Sequence, residues 1–126
     1  MPSKKQPITV YHNPACGTSR NVLGLIKEAG YEPEVVEYLK AGWTKSLLEG
    51  LLKRMGLKAR ALLRVRGTQA ETLGLTDPAV SEAKLIAAMV ADPILVERPI
   101  VVTAKGAALC RPAERVQALL EKLDTP

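Results

Sequence analysis

Phenylalanine is absent from this 126-residue chain, and histidine and tryptophan each occur once. Without Phe, a core has to be built from Leu, Val, Ile and Ala. Only two cysteines are present, Cys16 and Cys110. One His and two distant Cys cannot supply the paired ligand spacings of a zinc site, so no metal is expected. The segment MPSKKQP has no apolar stretch behind its basic residues that could act as a signal peptide, and no run approaches the ~18 apolar residues of a membrane span. A structural disulfide needs an oxidising compartment. The expectation is therefore a cytoplasmic protein with two free thiols and no membrane partner. Basic residues exceed acidic ones by 18 to 13, a formal charge of +5, but they are scattered along the chain. Without a basic block, the excess favours anionic partners in general and does not point to nucleic acid.

What is present is ordinary for a folded domain: 47% hydrophobic and 25% charged residues. The length suits a single domain, residues 1–126, able to bury a core unaided. Ile8-Thr9-Val10-Tyr11 reads as a strand, bounded by Pro7 and by the turn residues Asn13-Pro14. Val22, Leu23, Leu25, Ile26 and Ala29 recur at helical spacing, with Thr18 or Ser19 as candidate N-caps and Gly30 as a stop. Residues 34–39 form a second strand. Residues 8–39 thus make a βαβ unit, whose crossover implies parallel pairing.

Leu47, Leu48, Leu51, Leu52 and Met55, then Ala61 to Leu63 beyond Gly56, predict two short helices, and residues 81–90 predict another. Residues 43–92 are expected to form a helical insertion, irregular between Arg66 and Pro78. Ile100 to Thr103 is a strong strand, Lys105-Gly106 a plausible turn, and residues 107–110 its hairpin partner. Pro112 suits a first helical position, followed by a buried stripe of Val116, Leu119, Leu120 and Leu123. The order is a βαβ unit and a ββα unit separated by helices.

The stretch HNPACGTSR, residues 12–20, carries the chemistry. It places Cys16 between a strand end and a helix start, where unpaired backbone N–H groups and the helix dipole favour an anion. An unperturbed thiol is only about 3% ionised at pH 7, and lowering its pKa by about two units would make most of it nucleophilic. Gly17 leaves room for an incoming anion. His12 could act in either of two states: protonated, it would favour the thiolate through charge, and neutral, it could act as a base. Pro14, Gly17, Thr18 and Ser19 describe an exposed turn. Ser19 stands where a C-x-x-C pair would need its second cysteine, so a second thiol must come from elsewhere. A tyrosine-phosphatase-type loop is also excluded, because Val22 occupies the position of its arginine.

YHNPACGTSRNVL, ARALLR at 59–64, ERPIVV at 97–102 and LCRP at 109–112 occur in this order across nearly the whole chain. Together they resemble the glutaredoxin-coupled arsenate reductases of bacteria. The resemblance implies an α/β, thioredoxin-like four-stranded mixed sheet flanked by helices, with the helical insertion between its βαβ and ββα units. It further implies that Cys16 attacks arsenate, that His12 helps keep it as thiolate, and that Arg64, Arg98 and Arg111 bind the oxyanion. Asn13, Gly17, Thr18, Ser19 and Arg20 would shape the anion-accepting loop. Glutathione as co-substrate and glutaredoxin as partner would supply the missing thiols, with no bound cofactor. Cys110 reads as a non-essential strand residue. The resemblance also implies a cis Arg98-Pro99 bond, against a frequency of about 5–6% for X-Pro bonds in general.

The chemistry agrees with that implication. Arsenate is a dianion near neutral pH, so a thiolate attacking it meets repulsion that planar, permanently charged guanidinium groups can offset. Two alternatives share the fold: an RNA-polymerase-binding transcription regulator of the Spx type, and a glutathione-dependent thiol oxidoreductase of another substrate. Ser19 argues against the first, whose members often carry C-x-x-C.

Overall fold

The computed structural model describes residues 6–124; the first five residues, and with them most of MPSKKQP, lie outside the described residues. The chain divides into two compact units. One combines the described residues up to Tyr38 with those from Arg98 onward, and the other runs from Leu39 to Glu97.

The first unit is built on β1 (Ile8–His12), α1 (Gly17–Glu28), β2 (Glu34–Glu37), β3 (Ile100–Thr103), β4 (Gly106–Leu109) and α6 (Val116–Asp124). The strands form one four-stranded mixed sheet of order β2-β1-β3-β4. β1 and β2 pair in parallel, as the crossover required, and β3 runs antiparallel to both β1 and β4. Ile8 and Val10, two residues apart on β1, point to one face and pack with Val101 of β3. Val22 and Ile26 of α1, and Val116, Leu119, Leu120 and Leu123 of α6, close over that face. Each fully buried Val or Ile contributes about 1.5–3 kcal/mol, and the layer is mainly aliphatic, with Tyr31 as its one aromatic member and Cys110 among its buried residues.

Several boundaries differ from the sequence reading. β4 ends at Leu109, so Cys110, expected in the strand, lies just beyond it. The second strand stops at Glu37, and Tyr38–Ala41 is a helical turn, α2. The reason is register: Glu37 pairs with His12, the last residue of β1, so Tyr38 has no strand to continue against. The hairpin turn is Ala104-Lys105, one residue earlier than expected, with Gly106 already paired to Thr103. The Thr103 hydroxyl fixes that register by accepting from the Lys105 N–H at 3.1 Å and donating to the Gly106 carbonyl at 3.2 Å. Pro112 precedes a 3-10 turn over Ala113–Arg115, and α6 begins only at Val116.

The second unit contains α3 (Lys45–Met55), α4 (Ala59–Leu62), α5 (Glu82–Ala91) and a 3-10 turn, Pro93–Leu95. Thr44 and Ser81 cap α3 and α5, each hydroxyl accepting a backbone N–H at 3.1 Å. Gly56 ends α3 in the left-handed region at φ 67°, a conformation that costs a non-glycine residue about 1 kcal/mol or more. The Glu82 carboxylate accepts the Ala59 N–H, tying the start of α4 to that of α5. Residues 66–80 are irregular, as expected, and the Arg60 guanidinium holds their end by donating to the carbonyls of Asp77 and Val80. Leu63 and Val96 form an isolated antiparallel bridge, which brings the next residues along, Arg64 and Glu97, into an ion pair at 2.8 Å.

Among the described residues no helix is long and apolar enough to cross a membrane. No group of three or more His, Cys, Asp or Glu among them could hold a metal ion.

Candidate active site

β1 ends at His12 and the chain turns immediately. Asn13 closes the turn in two ways: its carbonyl accepts the Cys16 N–H at 3.0 Å, and its side-chain oxygen accepts the Ala15 N–H at 3.0 Å. Helix α1 then starts at Gly17, so Cys16 itself is the N-cap residue, with extended backbone angles (φ −94°, ψ 121°). Sequence alone favoured Thr18 or Ser19 as the cap. The tight Asn13–Cys16 turn starts the helix earlier, and Ser19 falls in its first turn with its side chain buried. Pro14 and Gly17 are exposed as expected, Thr18 is partly so, but Ser19 is fully buried.

An N-cap side chain normally accepts a hydrogen bond from the first turn. Here the cap atom is sulfur. The Ser19 backbone N–H favours its anion, although Cys16 makes no side-chain cap hydrogen bond. Two arginines reach the same sulfur from the other end of the unit. Arg111 Nη1 lies 3.6 Å from Cys16 Sγ and also donates to the Arg98 carbonyl at 3.0 Å. Arg98 favours the anion at that sulfur as well, through its donors and its charge.

Burial works against the thiolate, but the Ser19 N–H and the guanidinium groups of Arg98 and Arg111 outweigh it, lowering the Cys16 pKa to about 7. Roughly half of the protein therefore carries a thiolate at pH 7. Cys110 is the opposite case. It lies fully buried in the aliphatic core, where desolvation pushes its thiol up to about 12 despite the charge of Arg115. Iodoacetamide is accordingly expected to label Cys16 with a rate that is half-maximal near pH 7, and to leave Cys110 unlabelled until the protein unfolds. Peptide mass spectrometry across a pH series checks both.

Arg98 is itself buried, at 8% exposure, and its Nε and Nη1 have no hydrogen-bond partner in the protein. Buried donors are nearly always paired, so two orphaned guanidinium N–H groups beside a thiolate point to an anionic ligand. Arg98-Pro99 is a cis peptide, as expected, and so is Arg111-Pro112, which the sequence had not indicated. The Cys110 N–H donates to the Pro99 carbonyl at 2.9 Å, linking the two arginine-bearing segments.

His12 is buried, with Nδ1 2.7 Å from Ser19 Oγ. Burial lowers its pKa, Glu37 opposes that, and Arg20 reinforces it. Of the two states left open by the sequence, these surroundings favour the neutral one. Arg20 is exposed and braces the loop by donating from Nη1 to the Pro14 carbonyl at 2.8 Å. Gly17 is open: a Cβ there would meet only the flexible end of Arg20. Arg64 lies in the second unit, where Nη1 pairs with Glu97 and Nε donates to the Arg66 carbonyl at 3.1 Å. The partners Glu37 and Glu97 had no signal in the sequence, because strand register and an isolated bridge place them.

Fold and site together define a thioredoxin-like protein with one low-pKa thiol beside two arginines. A model of the ArsC family matches residues 11–119. The chain belongs to that family. It is 54% identical over 114 residues to arsenate reductase ArsI2 of Synechocystis sp., covering 90% of this chain and 81% of the relative. It is 48% identical over 113 residues to an arsenate reductase of Escherichia coli K12, covering 90% and 80%. The solved structure of an arsenate reductase from Vibrio cholerae superposes with a TM-score of 0.86 at 36% identity, over 91% of this chain and 98% of that one.

Proposed function

We propose that this protein is an enzyme that reduces arsenate to arsenite, with Cys16 as the nucleophile and glutathione and glutaredoxin as the source of electrons. The observation that carries the reading is the pair of orphaned Arg98 N–H groups beside the low-pKa sulfur of Cys16. A tetrahedral oxyanion satisfies both donors while presenting its central atom to the thiolate. Names of the relatives agree, since the Synechocystis and Escherichia coli proteins are arsenate reductases.

Cys16 Sγ forms a bond to arsenic as one oxygen leaves as water, its protons drawn from solvent. Arg98 and Arg111 hold the remaining oxygens and offset the repulsion between thiolate and dianion, while Asn13, Gly17, Thr18, Ser19 and Arg20 shape the loop that receives them. Glutathione then bonds to arsenic as a second oxygen leaves as water, with no change of oxidation state. The glutaredoxin thiolate attacks the glutathione sulfur, so that an S–S bond forms, the arsenic–glutathione bond breaks and its electron pair stays on arsenic; one water then hydrolyses the remaining arsenic–sulfur bond, releasing arsenite and returning Cys16 as a thiol. The balance is one arsenate and two external thiols giving one arsenite, one disulfide and one water. An external thiol is required because Ser19 stands where a C-x-x-C partner would be, and Cys110 is buried with its pKa near 12.

The test is arsenate-dependent NADPH oxidation in the presence of glutathione, glutaredoxin and glutathione reductase. Turnover is expected only with all components present. A rate no higher than that without the protein overturns the reading, and full activity without glutathione overturns the electron source.

A further inference from the structure

Helix α1 buries Val22 and Ile26 in the core. Beside that face, along positions 20, 21, 24, 25 and 28, runs a groove of about 410 Å³, bordered on its other side by Ala113 and Glu114 of the 3-10 turn. Gly24, midway along the stripe, contributes bare backbone. Glycine inside a helix costs about 0.5–1 kcal/mol relative to alanine. Nothing in the protein requires it here: a Cβ at Gly24 would meet no atom within 4 Å, and its φ is not positive. What the missing side chain leaves is room in the groove.

Both walls lead to the thiol. The Arg20 N–H donates to the Cys16 carbonyl at 3.0 Å, and its guanidinium, bonded to the Pro14 carbonyl, lies 3.8 Å from where a Gly17 Cβ would stand. Ala113 comes two residues after Arg111, whose Nη1 is 3.6 Å from Cys16 Sγ. The lining is of mixed sign. Its cation stands at the thiol end, Glu28 lies about 12 Å further along the helix, and Glu114 extends from the facing turn. Among the described residues neither carboxylate has an ion-pair partner. Two carboxylates repel a free oxyanion, so the pattern does not suit arsenate. It suits an extended molecule with a carboxylate at one end and an ammonium at the other.

We propose that this groove binds the thiol co-substrate glutathione, with its glycine carboxylate on Arg20 and its γ-glutamyl ammonium between Glu28 and Glu114. The inference rests on the proposed use of glutathione as electron source. An extended tripeptide spans about 10 Å, close to the length of the stripe. Asn21 offers a donor and an acceptor to a peptide group, and Leu25 and Gly24 lie under the methylenes. The cysteinyl residue adjoins the glycine held beside the Cys16 loop, so its thiol is delivered at that end.

The probe is S-methylglutathione, which keeps both charged ends and cannot react, titrated into the full-length protein and followed by amide NMR shifts. Saturable shifts are expected at residues 20–28 and 113–114 of the wild type. Gly24→Leu fills the groove and is expected to weaken binding about tenfold. Glu28→Gln with Glu114→Gln is expected to weaken it a few-fold, since both charges are exposed. S-methylcysteine has the same charges on one residue and is expected to bind at least about tenfold more weakly. Leucine is a good helix former at an open position, so the Gly24→Leu melting temperature is expected to equal or exceed that of wild type. Its Cys16 labelling midpoint should stay unchanged. If that variant does not fold, the double charge variant decides by itself. In the coupled assay Gly24→Leu is expected to raise the KM for glutathione and not that for arsenate. The proposal is overturned by absence of saturable binding to the wild type, by unchanged binding in Gly24→Leu or in the double charge variant, or by equal binding of S-methylcysteine. A wild type inactive toward arsenate leaves the titration readable, so failure of the proposed reaction is distinguishable from failure of the groove.

Discussion

Cys16→Ser is expected to abolish arsenate-dependent turnover while leaving the fold intact. The site favours an anion on the sulfur with one backbone N–H and two guanidinium groups, and this brings a thiol to about 7. The same groups acting on a serine hydroxyl leave it protonated, and the one imidazole is engaged by Ser19 through Nδ1. A neutral hydroxyl is a poor nucleophile. The loss is expected to be at least about 10³-fold, which corresponds to about 4 kcal/mol of barrier. Stability should move the other way. Cys16 occupies the N-cap of α1 without a full cap hydrogen bond, and serine is among the preferred caps, so the variant is expected to gain up to about 1 kcal/mol. The coupled assay and a thermal melt on the same sample check the two halves. Turnover within tenfold of wild type would move the nucleophile elsewhere.

Arg98→Ala is the second large effect. Its guanidinium is the only side chain among the described residues with buried nitrogen or oxygen atoms lacking a partner, so its donors are held for something the protein does not supply. Each charge-assisted contact to an oxyanion contributes about 1.5–3 kcal/mol, and the loss of two is expected to slow arsenate turnover at limiting substrate by about a hundredfold or more. Removing the charge also raises the Cys16 pKa, moving the labelling midpoint from about 7 toward the ordinary thiol value. Arg98→Lys separates the two contributions. Lysine keeps the charge, and so most of the pKa depression, but cannot offer two donors in a fixed fork, so binding of the oxyanion stays impaired. Equal activity in Arg98→Lys and wild type would show that charge alone matters. An unchanged rate at limiting arsenate in Arg98→Ala would remove Arg98 from the site.

The sequence and the structure divide the information along a physical line. Local patterns carried the elements: the β-branched and aromatic run Ile8 to Tyr11 between turn residues marked β1, helical spacing of Val22 and Ile26 marked α1, and the stripe from Val116 to Leu123 marked α6, because each depends on residues a few positions apart. The boundaries that moved depended on distant partners. Tyr38 left the second strand because β1 had ended, and Thr103 drew the hairpin turn one residue back. The N-cap shifted to Cys16 because Asn13 closes a turn whose strength composition does not reveal.

For the site, the sequence by itself determined that one thiol stands at a strand end and helix start with no second cysteine at redox spacing, and its four ordered blocks pointed to the family. Only the tertiary structure decided which charges meet that thiol. It brought Arg98 and Arg111 to the sulfur from some 80 and 95 residues away in the chain, set Arg64 in an ion pair with Glu97, and tied His12 to Ser19 in place of the thiol. The reason is range. Propensity and hydrophobic period act through neighbours in sequence, whereas a pKa, a buried unpaired donor or a tautomer is fixed by whatever the folded chain places within a few ångströms.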